Sequence, residues 1–373
     1  MQEKENKPKG NIYTVLICWA LLVVVSAVLI GNRIGLISVN AKYNTTDLYN
    51  QNLKNSIFQL LTQMGTSDTG QNFTLNDTDL VAPKPDQRKF DSVNSAVDFF
   101  TIIGSEILFG EELLFSKETT IKKNSVVDYY LDDTIFAVTW KQPVGGSVYT
   151  FSEVIVKHPS QFRRFLSDGK FNSSILYTTS DMSKYVNAVV AASGDYYKYR
   201  SIGIVVNNGH VYREKGELLD TCYIDEQGDL LFTYAGEIIG KEAAENYVRE
   251  HNVRFSLSFG PVMIDEGKYC VPPTYNSGEI NTQYARAALC QLGKLHYVVV
   301  TANSESPYFG MPTVSEFAQN LLAMGIPTAY ALDGGQTATI VMDNRVINSV
   351  SYGSEREISD IIYFATAMSG EDA

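Results

Sequence analysis

An uncharged apolar run near the amino end limits the folds open to this chain more than any other feature of its sequence. The run extends from Ile12 to Ile30 and reads IYTVLICWALLVVVSAVLI. A helix needs about 20 such residues to cross a bilayer, whereas an amphipathic core helix would carry a polar face, which this run lacks. The sequence therefore predicts a transmembrane helix over 12–31, preceded by a cytoplasmic tail over 1–11.

The charges that flank this run favour one orientation. Three lysines precede it within the first nine residues, and Arg33 and Lys42 follow it. The positive-inside rule then favours a cytoplasmic amino terminus and an extracytoplasmic carboxy-terminal part. The alternative is a cleaved signal peptide, but such peptides have an apolar core of about 7–15 residues followed by a small-residue cleavage site. The run is longer and no such site follows, so we expect a single-pass protein of the cell membrane.

Changes in composition divide the rest of the chain into three parts. Residues 32–88 are rich in Asn, Thr, Asp, Gln and Ser, which is typical of a stalk or linker. Residues 89–124 mix apolar and acidic residues and are predicted to form a helical spacer. From 125 to 373, aromatic and β-branched runs alternate with turn signals such as VGG, NNG and EQG.

This last part is predicted to be a strand-rich α+β domain with mixed sheets, because helical patterns interrupt the strands only singly. Those patterns are PSQFRRFL, GKEAAENYVREH and TVSEFAQNLLAMG. In the third, Phe317, Leu321 and Met324 share one face and Gly325 is the expected stop.

Charge and motifs exclude several classes of function. Lys and Arg total 30 against 42 Asp and Glu, so the net charge of -12 argues against binding to nucleic acid. The sequence contains no H-E-x-x-H, G-x-S-x-G, Walker or G-x-G-x-x-G motif, which excludes the usual zinc proteases, elbow-type serine hydrolases, P-loop NTPases and dinucleotide enzymes. Cys18 lies in the apolar run and three cysteines lie outside it, so at most one disulfide is expected within the domain.

Three segments combine residue types that packing alone does not require. In the first, an apolar strand runs into Ser193-Gly194-Asp195-Tyr196-Tyr197. In the second, Asp333 precedes Gly334-Gly335, and adjacent glycines let a backbone approach a ligand and turn N–H groups toward an anion. In the third, Arg286 lies between small residues that leave its guanidinium room to meet a phosphate or carboxylate. A strand-end turn, a tight hairpin and a surface ion pair are the alternative explanations.

Five blocks of sequence between about Thr134 and Phe364 carry a resemblance to a known family. They read VVAASGDYYKYRSIGIVVNNGHVYRE, SLSFGPVMIDEGK, YARAALCQ, FGMPTVSEFAQNLLAMGIPTAYALDGGQTATIVMDNRVIN and SEREISDIIYF. In this order they resemble the phosphodiester glycosidase family, which includes the lysosomal enzyme that removes N-acetylglucosamine from a sugar phosphodiester and bacterial relatives often labelled exopolysaccharide biosynthesis proteins. The DGG-x-[ST]-A segment is the most specific part. The chain departs from the family pattern at Ser193, where relatives usually have Asn, and at Thr301-Ala302-Asn303, where they usually have Asp-Gly-Arg.

The resemblance implies an extracytoplasmic hydrolase that splits a sugar-1-phosphodiester into a free sugar and a phosphomonoester, in cell-envelope or exopolysaccharide metabolism. Hydrolysis at an anomeric carbon normally uses a pair of acids, so Asp195 and Asp333 are the expected carboxylates, and Arg286 is the expected anion contact. Expected substrate-binding residues are Ser193, Gly194, Tyr196, Gly334, Gly335, Gln336, Thr337 and Thr339.

The sequence leaves open whether a metal ion is bound and whether the function is one of two others. No metal motif is visible, although carboxylates in this region could hold Mg²⁺ or Ca²⁺ through oxygen atoms. Two other functions fit the same sequence. One is a catalytically degenerate module that binds envelope glycopolymers, and the other is a scaffold of a polysaccharide assembly complex.

Overall fold

The computed structural model describes residues 113–116, 126–131, 135–156, 158–276, 279–305 and 309–366. The transmembrane helix expected over 12–31, the stalk over 32–88 and nearly all of the spacer over 89–124 lie outside the described residues. Within the described ranges, no helix is long and apolar enough to cross a membrane.

Eighteen strands are present in the described part of the chain. The first nine are β1 (Val126–Leu131), β2 (Ile135–Val144), β3 (Ser147–Val156), β4 (Phe162–Leu166), β5 (Val190–Ser193), β6 (Gly203–Asn207), β7 (His210–Lys215), β8 (Thr221–Asp225) and β9 (Leu230–Thr233). The others are β10 (Val253–Leu257), β11 (Val262–Asp265), β12 (Lys268–Tyr269), β13 (Arg286–Gly293), β14 (His296–Asn303), β15 (Thr328–Leu332), β16 (Ile340–Met342), β17 (Arg345–Val346) and β18 (Asp360–Phe364).

The strands form three sheets. The largest has the spatial order β1-β2-β3-β14-β13-β15-β11-β12, and the two five-stranded sheets have the orders β7-β6-β10-β8-β9 and β17-β16-β5-β18-β4. The strand-rich α+β class is confirmed. The mixed pairing expected from the sequence is not seen among these strands, whose ladders are all antiparallel. Seven of the 15 ladders between the described strands are hairpins of consecutive strands, which can only be antiparallel, whereas parallel pairing needs long crossovers.

Phe162 is the point at which the three sheets meet. Its ring stacks on Phe364 of its own sheet at 4.6 Å and packs against Tyr297 of the large sheet at 4.9 Å. On the third side it meets Phe255 of the other five-stranded sheet edge-on at 5.4 Å. These rings belong to one continuous apolar core, so the loops at the ends of strands from all three sheets are held next to each other.

Three helices are described: α1 (Thr179–Tyr185), α2 (Lys241–Glu250) and α3 (Val314–Ala323). The predictions of α2 and α3 are confirmed. Thr313 and Glu316 form a capping box at the start of α3, and Gly325 adopts a positive φ of 81° just after its end. Sequence analysis missed α1.

The helix predicted over residues 159–166 is wrong. Pro159–Gln161 forms a single 3-10 turn, and the chain then continues as β4, which pairs with β18 along its whole length. Both Arg163 and Arg164 are buried in this strand. In the sequence these two arginines resemble the polar face of a helix. Arg163 donates to the nearby carbonyl of Ser160, whereas the burial of Arg164 is made favourable by partners on other strands.

The described part of the spacer region is docked on the large sheet. The backbone N–H groups of Leu114 and Phe115 donate to the carboxylate of the fully buried Glu153 at 2.8 and 2.9 Å. The ring Nε2 of His296 lies 2.7 Å from the same carboxylate. Residues 114–116 therefore form a 3-10 turn fixed to β3.

A candidate active site around Asp333

Asp333 lies at the carboxyl end of β15, where the chain must turn sharply beside β13. A Cβ atom at Gly334 would lie 2.6 Å from the carbonyl oxygen of Ala285, so only glycine allows this approach. Gly335 has φ 63°, and its N–H donates to the same carbonyl at 2.7 Å. The second glycine N–H is therefore used inside the fold. The twin glycines place the Asp333 carboxylate rather than forming an open anion nest with both N–H groups.

The electrostatic surroundings of Asp333 suit proton transfer near neutral pH. Its side chain is 10% exposed, and Nη2 of Arg356 lies 3.1 Å from its Oδ2. Burial raises the pKa of Asp333 from its ordinary 3.8 to about 7, while Arg356, a hydrogen bond with Thr337 and the charge of Arg200 act to lower it. A carboxyl group with such a pKa is present in both its acid and its base form at neutrality, which is what a general acid or base requires.

Two arginines and three aromatic rings flank this carboxylate. The guanidinium carbon of Arg356 lies 5.5 Å from the ring centre of Tyr196 and 5.6 Å from that of Tyr199, and those two rings stack at 4.8 Å. The guanidinium carbon of Arg200 lies 5.1 Å from the Tyr196 ring and 4.9 Å from the Phe259 ring. Cation–π contacts of this kind hold arginine heads in place without using their N–H donors.

The N–H donors of these two arginines are not all used by hydrogen bonds within the described residues. The buried Nε of Arg356 has no hydrogen-bond partner among the described residues. The hydrogen bond recorded for Arg200 is a long one, from its Nη1 to the carbonyl of Ser258 at 3.4 Å. The side chains of Tyr196, Arg200, Phe259 and Arg356 are partly exposed, and Tyr199 is 47% exposed. The surface beside Asp333 is thus cationic, aromatic and open.

Asp195 lies nearby but faces inward. Its side chain is fully buried: Oδ1 accepts from the N–H of Tyr196 at 2.6 Å, and Oδ2 accepts from the N–H and hydroxyl of Ser258 at 2.8 and 3.0 Å. These bonds fasten the loop that carries Tyr196 and Arg200 to the loop that carries Phe259. Asp195 therefore positions both walls of the site, and its negative charge helps to raise the pKa of Asp333.

A buried ion pair behind Asp195 completes this support. Nε of Arg164 lies 2.6 Å from Oδ2 of Asp360, and its Nη1 donates to the carbonyls of Val206 and Ser256 in the neighbouring sheet. Asp360 in turn accepts from the backbone N–H of Asp195 at 3.0 Å. Burial and the proximity of Asp195 raise the pKa of Asp360 while Arg164 acts to lower it. Asp195 and Asp360 both lie next to Arg164, so the loops that form the site are held in place by a buried network of charges.

Arg286 is placed beside Gly334 by the pairing of β13 with β15, but its guanidinium has other partners. Nε donates to the carbonyl of Pro312 at 3.2 Å, and Nη2 donates to the carbonyls of Glu279 and Thr282. Burial lowers the pKa of Arg286 to about 10. The assignment of Arg286 as an anion contact stays a prediction, and the geometry favours a role in holding the 279–282 loop.

The other expected substrate-binding residues surround the Asp333 turn. The N–H of Asp333 donates to the carbonyl of Gly194 at 3.3 Å, and the Ser193 hydroxyl donates to the carbonyl of Asp333 at 3.4 Å. A Cβ at Gly194 would lie 2.5 Å from Oδ2 of Asp360. The segments around Gly194 and Asp333 therefore lie next to each other, joined by backbone groups of both and by the Ser193 hydroxyl.

The polar side chains that follow Gly335 make internal contacts or are buried. Gln336 donates to the carbonyl of Ser354, and the Thr337 hydroxyl donates to the carbonyl of Gly334 at 2.7 Å. The hydroxyl of Thr339 is buried without a hydrogen-bond partner among the described residues. Of the expected binding residues, Tyr196 and the two half-exposed glycines are the ones that border the open surface.

Sequence reasoning missed Arg200 and Arg356. Both lie inside the blocks that carried the family resemblance, YYKYRS and SEREISD. The signal that could have found them is an arginine next to paired tyrosines or next to a strand that ends the domain. Neither pattern is specific without knowledge of which loops meet.

Neither a metal centre nor a disulfide is found near this surface. No group of three or more His, Cys, Asp or Glu side chains in the described ranges is arranged to hold a metal ion. Cys222, Cys270 and Cys290 are free, and the first and third are buried. We therefore assign no step to a cysteine.

Comparisons with known proteins point to one family. Residues 186–365 match the family model described as phosphodiester glycosidase. The SPbeta prophage-derived uncharacterized protein YomE of Bacillus subtilis (strain 168) is 22% identical over 199 residues, which make up 52% of this chain and 30% of that protein. The chain thus spans less than a third of the length of that curated relative.

Three solved structures align with part of this chain at low sequence identity. The zebrafish N-acetylglucosamine-1-phosphodiester alpha-N-acetylglucosaminidase catalytic domain, auto-inhibited by its pro-peptide, aligns with a TM-score of 0.49 and 17% identity, covering 62% of this chain and 82% of that one. A hypothetical protein from Synechocystis aligns with a TM-score of 0.44 and 11% identity, covering 63% and 62% of the two chains. A putative exported protein from Burkholderia pseudomallei aligns with a TM-score of 0.40 and 12% identity, covering 59% and 74%.

Proposed function

Because residues 186–365 match the family model described as phosphodiester glycosidase, we propose that the chain hydrolyses the glycosidic bond of a sugar-1-phosphodiester at the Asp333 site. The observation that carries the proposal is the pairing of a buried carboxyl group of pKa about 7 with Arg356, beside a second arginine on an open aromatic surface. A diester anion needs cationic donors, and a water molecule needs a base. Both are present within one surface.

In this mechanism Arg200 and Arg356 bind the phosphate, and Asp333 accepts the proton of the attacking water. The bond between the anomeric carbon and the phosphate oxygen breaks, and its electrons go to the phosphate, which gains a second negative charge. Arg356 and Arg200 stabilise that developing charge. Water adds to the anomeric carbon, and its proton passes to the ionised form of Asp333. Because phosphate is a good leaving group, one carboxylate is enough, and the buried Asp195 acts by positioning the loops.

The aromatic surface accounts for binding of the sugar ring. Tyr199 is 47% exposed and continues the Tyr196 surface outward. A sugar ring presents apolar C–H faces as well as hydroxyls, so an exposed ring stack beside the cationic donors suits it. The identity of the sugar is set by contacts at this edge.

The experiment is turnover by the purified full chain. We expect free sugar and phosphomonoester to be released in equal amounts from a sugar-1-phosphodiester such as methyl N-acetylglucosamine-1-phosphate. Asp333→Asn should abolish release. The matched control is Asp343→Asn, which makes the same chemical change at a partly exposed turn residue that pairs with Arg345. Release that persists in the Asp333 variant contradicts the assignment.

A second candidate function is a glycopolymer-binding module without turnover, or a scaffold of a polysaccharide assembly complex. It is favoured by the burial of Asp195, since this leaves Asp333 without the second accessible acid that glycosidases normally use. Retained binding of a sugar phosphodiester by the wild-type chain, together with no hydrolysis of any such diester, would favour this function.

We further propose that region 12–31 anchors the protein in the cell membrane, with the carboxy-terminal domain outside the cytoplasm and active in envelope or exopolysaccharide metabolism. The support is the uncharged length of the apolar run. Protease added to intact cells should remove the domain. Recovery of the full chain in the soluble fraction would contradict the anchor.

A further inference from the structure

A pocket of about 510 Å³ lies away from the Asp333 surface, beside the first turns of α1. It is bordered by β4, by the 3-10 turn Ser167–Gly169 and by α1. Its lining includes Phe165, Asp168, Tyr177, Asp181, Met182 and Tyr185. None of these residues takes part in the proposed hydrolysis.

Aromatic rings form the walls of this pocket. The rings of Phe165 and Tyr185 pack against each other with their centres 5.3 Å apart at an angle of 35°, so together they form one aromatic side of the pocket. Tyr185 is 75% exposed and Tyr177 is 41% exposed, so both rings are open to a ligand from solvent. The faces of aromatic rings carry partial negative charge, which attracts cations that approach them.

Two carboxylates add full negative charge to the same pocket. Asp181 lies in the first turn of α1, where the Thr178 hydroxyl donates to its Oδ2 at 2.8 Å. Asp168 accepts from the Ser173 hydroxyl at 3.1 Å, and the Lys170 ammonium group is 3.6 Å away but 75% exposed. An exposed lysine is screened by water and neutralises such a charge only weakly. No cationic side chain is among the described residues that line the pocket.

We propose that this pocket binds an organic ammonium group, of the kind carried by choline or by an alkylated amine. Charge complementarity supports this ligand class over the alternatives. An anion would meet two carboxylates and three ring faces, and it would find no cationic partner. A neutral sugar would use the rings but would gain nothing from the charges. A substituted ammonium ion is stabilised both by the rings and by the carboxylates, as in the aromatic cages that recognise quaternary ammonium ions.

The pocket is linked to the Asp333 site through one segment of chain. The Ser180 backbone N–H of α1 donates to Glu355 at 3.0 Å, and Tyr177 forms a β-bridge with Ile358. Between these two contacts lies Arg356, which pairs with Asp333. The ligand site does not depend on the proposed hydrolysis, because none of its contacts involves the reacting groups.

Titration of the full chain with choline, followed by ligand-observed NMR, tests the proposal. The matched probe is 3,3-dimethylbutan-1-ol, which has the shape of choline without its charge. We expect choline to bind at least about tenfold more tightly than this alcohol, since the cation gains both ring and carboxylate attraction. Equal binding of the two probes, tighter binding of methyl glucoside, or no choline binding at about 50 mM would overturn the proposal.

Substitutions separate the contribution of the carboxylates to choline binding from that of the aromatic rings. Asp168 has φ 58°, a conformation that asparagine tolerates well, so Asp168→Asn removes the charge without straining the turn. Tyr185→Ala removes an exposed ring. Each should weaken choline binding several-fold, while Glu266→Gln, a change at an exposed carboxylate elsewhere, should not. Circular dichroism confirms that each variant is folded. Unchanged affinity in both pocket variants would overturn the proposal even if choline binds.

Discussion

Replacing Asp333 with asparagine should remove activity and at the same time stabilise the protein at alkaline pH. The pKa of Asp333 is about 7 in the folded chain and has an ordinary value of 3.8. The folded state therefore holds this proton more tightly than the unfolded state. By linkage, the free energy of unfolding falls as pH rises from about 4 to about 7 and stays low above that. Asparagine cannot ionise, so the free energy of unfolding of the variant does not fall in this way as the pH rises.

The magnitude follows from the difference between the two pKa values. At about 1.4 kcal/mol per pKa unit, the loss in the wild-type chain is about 4 kcal/mol above pH 7 and about 1.5 kcal/mol at pH 5. The pKa of about 7 already includes the lowering by Arg356, so no separate energy is subtracted for the loss of that contact. We therefore expect Asp333→Asn to be more stable by about 4 kcal/mol at pH 8 and by about 1.5 kcal/mol at pH 5.

Urea unfolding of both proteins at these two pH values measures the effect. The other carboxyl groups with a raised pKa, Asp220 and Asp360, are present in both chains, so their contributions cancel in the comparison. A stability difference that is the same at the two pH values would refute the reasoning, because it would mean that Asp333 titrates alike in the folded and unfolded chains. A variant that is less stable at pH 8 would refute it as well.

Four further outcomes are expected. Activity should fall tenfold per pH unit below about pH 7, because only ionised Asp333 accepts the proton from water, and a pH profile of kcat/KM checks this. Arg356→Lys should keep the charge but weaken phosphate binding by about tenfold through loss of the planar fork, seen as a raised KM for the diester. Arg164→Met should cost about 3–5 kcal/mol in urea unfolding at neutral pH, since it leaves Asp360 buried without its cation, and a cost near zero would contradict the network. Gly194→Ala should cost about 1–3 kcal/mol, because its Cβ would lie 2.5 Å from the Asp360 carboxylate, and a thermal melt no lower than that of the wild-type chain would contradict this steric reason.

Local signals in the sequence were enough for α3 and for the Asp333 turn. The capping box and the glycine stop act within a few residues, so they can be seen without knowledge of the fold. The structure confirms both features of α3. The twin glycines predicted a backbone that comes close to a ligand; the close approach seen is to the carbonyl of Ala285, and the anion contact stays a prediction.

The residues whose surroundings the sequence did not show have partners far away along the chain. β4 looked helical because the partners of the buried Arg164 lie in β6, β10 and β18, far away along the chain. Asp195 looked catalytic because nothing near it in sequence shows that Ser258, 63 positions later, saturates its carboxylate. Arg286 looked like a free anion contact because the carbonyls of Glu279, Thr282 and Pro312 converge on it only after folding.

The same limit explains the arginines that were missed. Arg200 and Arg356 are 156 positions apart, and they share the Tyr196 ring only because β5 and β18 are neighbours in one sheet. The charge and aromatic content of the sequence do not show that these two loops lie side by side. The order of the strands in the sheet does show it, and that order is known only from the pairing of strands in the folded protein.

The most direct test of the account is hydrolysis of a sugar-1-phosphodiester in water enriched in ¹⁸O. Attack of water on the anomeric carbon at the Asp333 site predicts that the released phosphomonoester contains no ¹⁸O, which ³¹P NMR reads directly. A phosphomonoester that carries the label would show that the bond to phosphorus is broken instead, and this result, or no release at all, would contradict the proposed glycosidase.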